Sequence, residues 1–164
     1  MALVEAFLQE IEDEAKTTRR VLERVPEDKY SWKPHPKSMS LGQLAVHLAQ
    51  SAGYADWICN DVFEFTPDMG TLKEPASKAE LLQTLDDAVA KAKEALPKVG
   101  DAGLARMWKA VAGGNTVMEM PKVAVVRVVA CNHTYHHRGQ LSVYLRLLDV
   151  PVPSIYGPSA DEGR

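Results

Sequence analysis

The sequence predicts an all-α chain folded as a four-helix bundle. Three stretches carry apolar residues at helical spacing, each with local start or stop signals. A fourth apolar run continues from Val123 to Leu148 without a proline and with one glycine. Strand signal is sparse, and amphipathic helices of this number bury their stripes against one another.

In the first stretch, Leu3, Val4, Phe7, Leu8, Ile11, Ala15, Val21 and Leu22 form one stripe over residues 3–24. Pro26 ends it. Pro26 to Ser38 holds three prolines and no period, so it reads as a long connection. Tyr30-Ser31-Trp32-Lys33-Pro34 lies within it, with Trp32 as a packing anchor. Ser40-Leu41-Gly42-Gln43 then spells a capping box, with Met39 and Leu44 at the staple positions. The second helix is expected to run to about residue 60, with Leu44, His47, Leu48, Ser51 and Tyr54 on one face.

Residues 64–76 read as a loop, on Pro67, Gly70 and Pro75. Ser77-Lys78-Ala79-Glu80 is a second capping box, opening a third helix striped by Leu81, Leu82, Leu85, Ala88, Val89, Ala92 and Leu96. Pro97 and Gly100 close it. Residues 100–120 give the weakest signal: Gly113-Gly114-Asn115 marks a turn, and its flanks read as short strands or irregular chain. Met107 and Trp108 are expected to pack on the bundle. Val123 to Val129 is rich in β-branched residues and suits a strand by propensity alone. The length of the uninterrupted pattern instead predicts a helix of about 26 residues, opened by Pro121 and stopped by Pro151. Val150 to Arg164 reads as an extended tail.

With 164 residues the chain reads as one domain, 1–164. That length buries roughly 70% of the unfolded surface, enough to dispense with disulfides. Cys59 and Cys131 form no CxxC and read as small buried apolar residues in a reducing cytoplasm. The start, Met1-Ala2-Leu3-Val4-Glu5, lacks the basic region of a signal peptide, and no apolar run approaches membrane-spanning length. A net charge of −3, from 19 basic and 22 acidic residues, leaves no electrostatic footprint for nucleic acid.

The chemistry concentrates in Asn132-His133-Thr134-Tyr135-His136-His137-Arg138-Gly139-Gln140. Three of the chain's five histidines fall here. His133 and His137 are four apart, which on a helix projects both from one face about one turn apart. The three-residue spacing of His133 and His136 works nearly as well, so spacing leaves the choice between His136 and His137 open. His47 stands on the predicted inner face of the second helix. Three imidazoles leave coordination positions open, as catalytic sites do. Gln140 and Tyr144 follow His137 on its face, and Gln43 and Tyr54 bracket His47. Any of these can orient an imidazole. Arg138 is a candidate partner for an anionic substrate or a surface charge. His35, in a proline-flanked loop, reads as exposed and silent. No phosphate-binding glycine loop, Ser-His-Asp pattern or HExxH occurs.

These residues resemble the DinB-like (DinB/YfiT) metal-binding four-helix-bundle superfamily. The likeness rests on Tyr30-Ser31-Trp32-Lys33-Pro34, on Ser38 to Leu44 leading into His47, and on His133 to Leu141 followed by Tyr144-Leu145. Residues 61–120 contribute no diagnostic motif. The resemblance implies a bundle with a long crossover connection and a divalent ion on His47, His133 and His137, choosing His137 over His136. Gln43, Tyr54, Trp32, Gln140 and Tyr144 are the surrounding pocket candidates. Nickel or zinc is the expected ion, with iron, copper or manganese as other candidates. Some relatives resemble thiol-dependent S-transferases using low-molecular-weight thiols. The expectation is a cytoplasmic enzyme activating a thiol or water against a small electrophile. Its rival is a non-catalytic metal- or small-ligand-binding stress-response protein. Family members are often homodimers.

Overall fold

In a computed structural model, which describes residues 2–163, the first stripe folds as helix α1, Leu3–Glu23. Val4, Phe7, Ile11, Val21 and Leu22 are buried along it. The free amides of its first turn are taken up from far away: Asp101 accepts from Leu3 N and Val4 N, both at 2.9 Å. Helix α2, Leu41–Gln50, starts at the predicted box. Ser40 Oγ accepts from Gln43 N at 3.3 Å and Gln43 Oε1 accepts from Ser40 N at 2.9 Å.

The α-helix stops at Gln50, short of the expected end near residue 60, and Ser51–Cys59 continues as 3-10 helix. Ser51 supplies the reason. Its hydroxyl donates to His47 O at 2.8 Å, and its backbone N–H turns instead to Leu48 O. That shift from the i−4 to the i−3 acceptor is the change from α to 3-10 geometry. Gly53 lies so close to Ala88 that an added Cβ would meet Ala88 Cα at 3.2 Å.

Helix α3, Lys78–Leu104, is capped by Ser77, whose Oγ accepts from Glu80 N at 3.2 Å. The return half of this box reaches one residue further than expected, with Glu80 accepting from Ala76 N at 2.7 Å. Pro97 sits inside the helix, and the break comes at Gly100, with φ 65°. That left-handed conformation suits glycine and turns the chain to present Asp101 to α1.

Among the described residues, three strands interrupt the helical pattern. Val62–Phe65 forms β1, Met107–Ala112 β2 and Asn115–Pro121 β3, in sheet order β1-β2-β3. β1 lies parallel to β2, and β2 pairs antiparallel with β3. β1 overlaps the first two residues of the expected loop, 64–76. Gly113 and Gly114 join β2 to β3 with φ 54° and 79°, the positive pair that a two-residue hairpin turn requires. Alternation along β2 buries Trp108 and Ala110 and turns Met107 outward, 52% exposed. Trp108 therefore packs on the bundle as expected, and Met107 does not.

The last helical segment is continuous and changes character midway. Helix α4, Lys122–Val125, passes into a π-helical stretch, Val126–Asn132, and then into α5, His133–Leu147. The β-branched run is thus helical, and its crowding falls where the helix widens. The described residues are predominantly α-helical, with four helical segments and long connections between them, as the sequence predicts, plus the small sheet. No described helix is long and apolar enough to cross a membrane. The tail folds back on the bundle: Glu162 pairs with Arg20 and Arg24, and Asp161 with Arg146. Arg164, its last residue, lies outside the described residues.

Candidate metal centre

His47 comes from the last turn of α2, and His133 and His137 from the first turns of α5. One ligand nitrogen from each can be chosen so that all lie within 4.8 Å of one another. Ring centroids are 4.8 Å apart for His47 and His133, 4.4 Å for His47 and His137, and 4.3 Å for His133 and His137. His137 is buried and His136 exposed, so the two neighbours separate by their environment. His35 is exposed, its Nδ1 accepting from Lys37 N.

Two of the three rings have a partner for the nitrogen turned away from the cluster. His137 Nδ1 is 2.7 Å from Gln140 Oε1, an acceptor that fixes the proton on Nδ1 and leaves Nε2 as a lone pair. Tyr54 Oη is 3.3 Å from His47 Nδ1, and a proton on that nitrogen donates to the phenol oxygen. Ser51's 3-10 turn and the residues after it carry Tyr54 to this position. His47 Nε2 and His133 Nε2 stand 2.8 Å apart. Two facing lone pairs at that distance repel, so one nitrogen must carry a proton unless a cation lies beside both.

Burial lowers the pKa of all three rings. His47 and His133 are each brought down to about 4, first by desolvation and then by neighbouring imidazoles. His137 is lowered by the same burial, partly offset by Gln140. The cluster is therefore neutral at pH 7, the protonation state in which imidazole donates to a metal. Three neutral nitrogen donors fit a divalent first-row ion.

The other pocket candidates are engaged elsewhere. Gln43 closes its cap and donates to Leu72 O at 3.0 Å. Tyr144 packs edge-on against Trp32 at 5.7 Å and donates to Met39 O. Arg138 is neither a surface charge nor open to substrate: it is 1% exposed, held by Glu14, Thr18 Oγ1 and Tyr156 Oη. Cys59 is exposed, contrary to expectation, whereas Cys131 is buried. Burial and the nearby Glu10 carboxylate push the Cys131 thiol up to about 12, which keeps it protonated at neutral pH.

A cleft of about 620 Å³ opens onto His47 and His133. Its walls bring in Gln50, Trp57, Phe65, Met69 and Met118, none of which sequence reasoning singled out. The alternation Val62-Phe63-Glu64-Phe65 was the signal available for one wall.

The model of the DinB family matches residues 1–164. The chain belongs to the DinB family. Among curated proteins, the uncharacterized protein YrdA of Bacillus subtilis is 25% identical over 164 residues, covering 95% of this chain and 89% of YrdA. Among solved structures, the DinB-like protein YjoA of Bacillus subtilis superposes with a TM-score of 0.66 at 20% identity. The match covers 96% of this chain and 98% of YjoA. A DinB-like protein of Bacillus cereus gives 0.64 at 23% identity, covering 93% of this chain and 97% of that one. At such identities these structures speak for the DinB fold alone.

Proposed function

We propose that His47, His133 and His137 bind one divalent ion, nickel or zinc in the first instance, and that this DinB-family protein is a metal-dependent enzyme. Its reaction would set a low-molecular-weight thiol, or water, against a small electrophile. The observation that carries this reading is the cluster of three neutral imidazoles whose ligand atoms lie within 4.8 Å, beside an open cleft. When bound, such an ion supplies Lewis acidity, lowering the pKa of a thiol or water at its open positions. The chain's own residues do the rest. Gln140 and Tyr54 hold the rings of His137 and His47, and the cleft walls receive the apolar part of the electrophile. In the thiol case the S–H proton leaves to solvent. The sulfur then bonds the electrophilic carbon, and the leaving group departs with its electron pair.

A second reading, a non-catalytic metal- or small-ligand-binding protein of the stress response, draws on one feature. No Asp, Glu, Lys or Arg lines the cleft to serve as a general acid or base. Turnover separates the two. A panel of thiols with electrophilic acceptors is run on zinc- and nickel-loaded protein, metal-stripped protein and His133→Ala. Metal-dependent turnover lost in the variant supports the enzyme, and metal uptake without turnover supports the binding protein. Both readings take the chain as one cytoplasmic domain, with a homodimer as the assembly suggested by family likeness.

A further inference from the structure

The cleft beside the histidines has a composition that restricts its occupant. One wall is aromatic and braced. Trp57 stacks on Phe63 with centroids 4.3 Å apart, meets Phe65 edge-on at 5.4 Å and lies 4.7 Å from Tyr54. The other side is made of Met69, Met118 and the valines of the π-helical stretch, Val128 and Val129. Methionines are flexible and polarizable and fit themselves to rings of different shape. The lining contains no Asp, Glu, Lys or Arg. Gln50, Thr66 and Tyr54 add neutral polar groups.

A carboxylate or sulfonate moved from water onto these walls loses hydration and finds no counter-charge. A ring moved there loses only unfavourable apolar hydration and gains an aromatic face. The nitrogen donors are at one end of the cleft, where His47 and His133 stand. We infer that the cleft takes an uncharged molecule with a flat apolar ring, its ring against Trp57 and its one reactive or polar atom at the histidine end. This rests on the metal-site reading above and names its substrate class. A thiol bearing several carboxylates is then not the molecule that fills the cleft.

Two fluorescent probes share a skeleton and differ by one charge: N-phenyl-1-naphthylamine is neutral, and 8-anilinonaphthalene-1-sulfonate carries a sulfonate. Both are titrated into full-length, chelator-treated protein, so that no added cation attracts the sulfonate. The expected result is that the neutral probe binds at least about tenfold more tightly. Val128→Lys, at a position 46% exposed and so compatible with folding, weakens the neutral probe about fivefold or more and narrows the gap. Met118→Lys gives the same shift from β3, a second element of that wall. Equal or tighter binding of the sulfonate overturns the inference. So does neutral-probe binding indifferent to both lysines, or no binding of the neutral probe. Zinc uptake is measured on the same preparation. Its failure with the probe preference intact sinks the metal reading and leaves the cleft's selectivity standing.

Discussion

His47 Nε2 and His133 Nε2 meet at 2.8 Å with no carboxylate to share a proton between them. Each ring is easier to keep neutral than charged, because burial removes the water an imidazolium needs. This sets the pH response of the metal-free protein. An unfolded imidazole takes its proton near pH 6.5, whereas His47 and His133 in the folded chain wait until about 4. Between those values only the unfolded chain is protonated at these sites. Their contribution to stability is complete above about 6.5 and is lost as pH falls towards 4. Urea unfolding of stripped protein at pH 7 and 4.5 should show that loss, and a His47→Gln, His133→Gln double variant should show less of it. An unchanged pH slope in the double variant contradicts the assignment. Behind the rings, Tyr54→Phe and Gln140→Leu each leave the donor atoms in place and remove an orienting partner. Each is expected to weaken metal affinity about tenfold or more in chelator competition. Affinity equal to wild type would mean that these bonds do not orient the rings.

Each helical element was legible in proportion to how local its signals are. Ser40 and Ser77 cap their helices through residues three positions away, so the sequence alone marks both starts. The α-to-3-10 change after Gln50 depends on one hydroxyl competing for His47 O, and apolar periodicity does not register it. β1 was missed because its pairing partner, β2, lies more than 40 residues away. The hairpin turn was visible as Gly113-Gly114, while its flanks stood open between short strands and irregular chain. The histidine trio was legible because His133 and His137 share a helix face and His47 follows a capped start. Spacing left His136 and His137 tied, and only the family likeness chose between them. The structure buries one and exposes the other. The cleft was not legible, since its walls come from the 3-10 segment, β1, β3 and the π-helical stretch. At this scale Asp101→Ala tests a long-range contact. It removes the acceptor for Leu3 N and Val4 N and is expected to cost about 1 kcal/mol in urea unfolding. No measurable loss would show that water serves those amides equally well.

Across the whole molecule, residues distant in sequence hold the site-bearing helix in place. Arg138 follows His137 directly and is fixed to Glu14 and Thr18 of α1 and to Tyr156 of the tail. Sequence reading placed this arginine at the surface or on a substrate because its partners give no local sign. Removing it leaves the Glu14 carboxylate without its cation, so Arg138→Ala should destabilise the fold by about 3 kcal/mol. An effect within a few tenths would place the pair among weak surface contacts. The account's central claim concerns the ion itself. The most direct measurement is elemental analysis by mass spectrometry of tag-free protein, dialysed against zinc or nickel and then against buffer. Wild type is compared with His133→Ala and His136→Ala. The account predicts about one ion per chain in wild type and in His136→Ala, and none in His133→Ala. Wild-type protein that retains no ion, or a His133→Ala variant that retains it fully, would contradict the account.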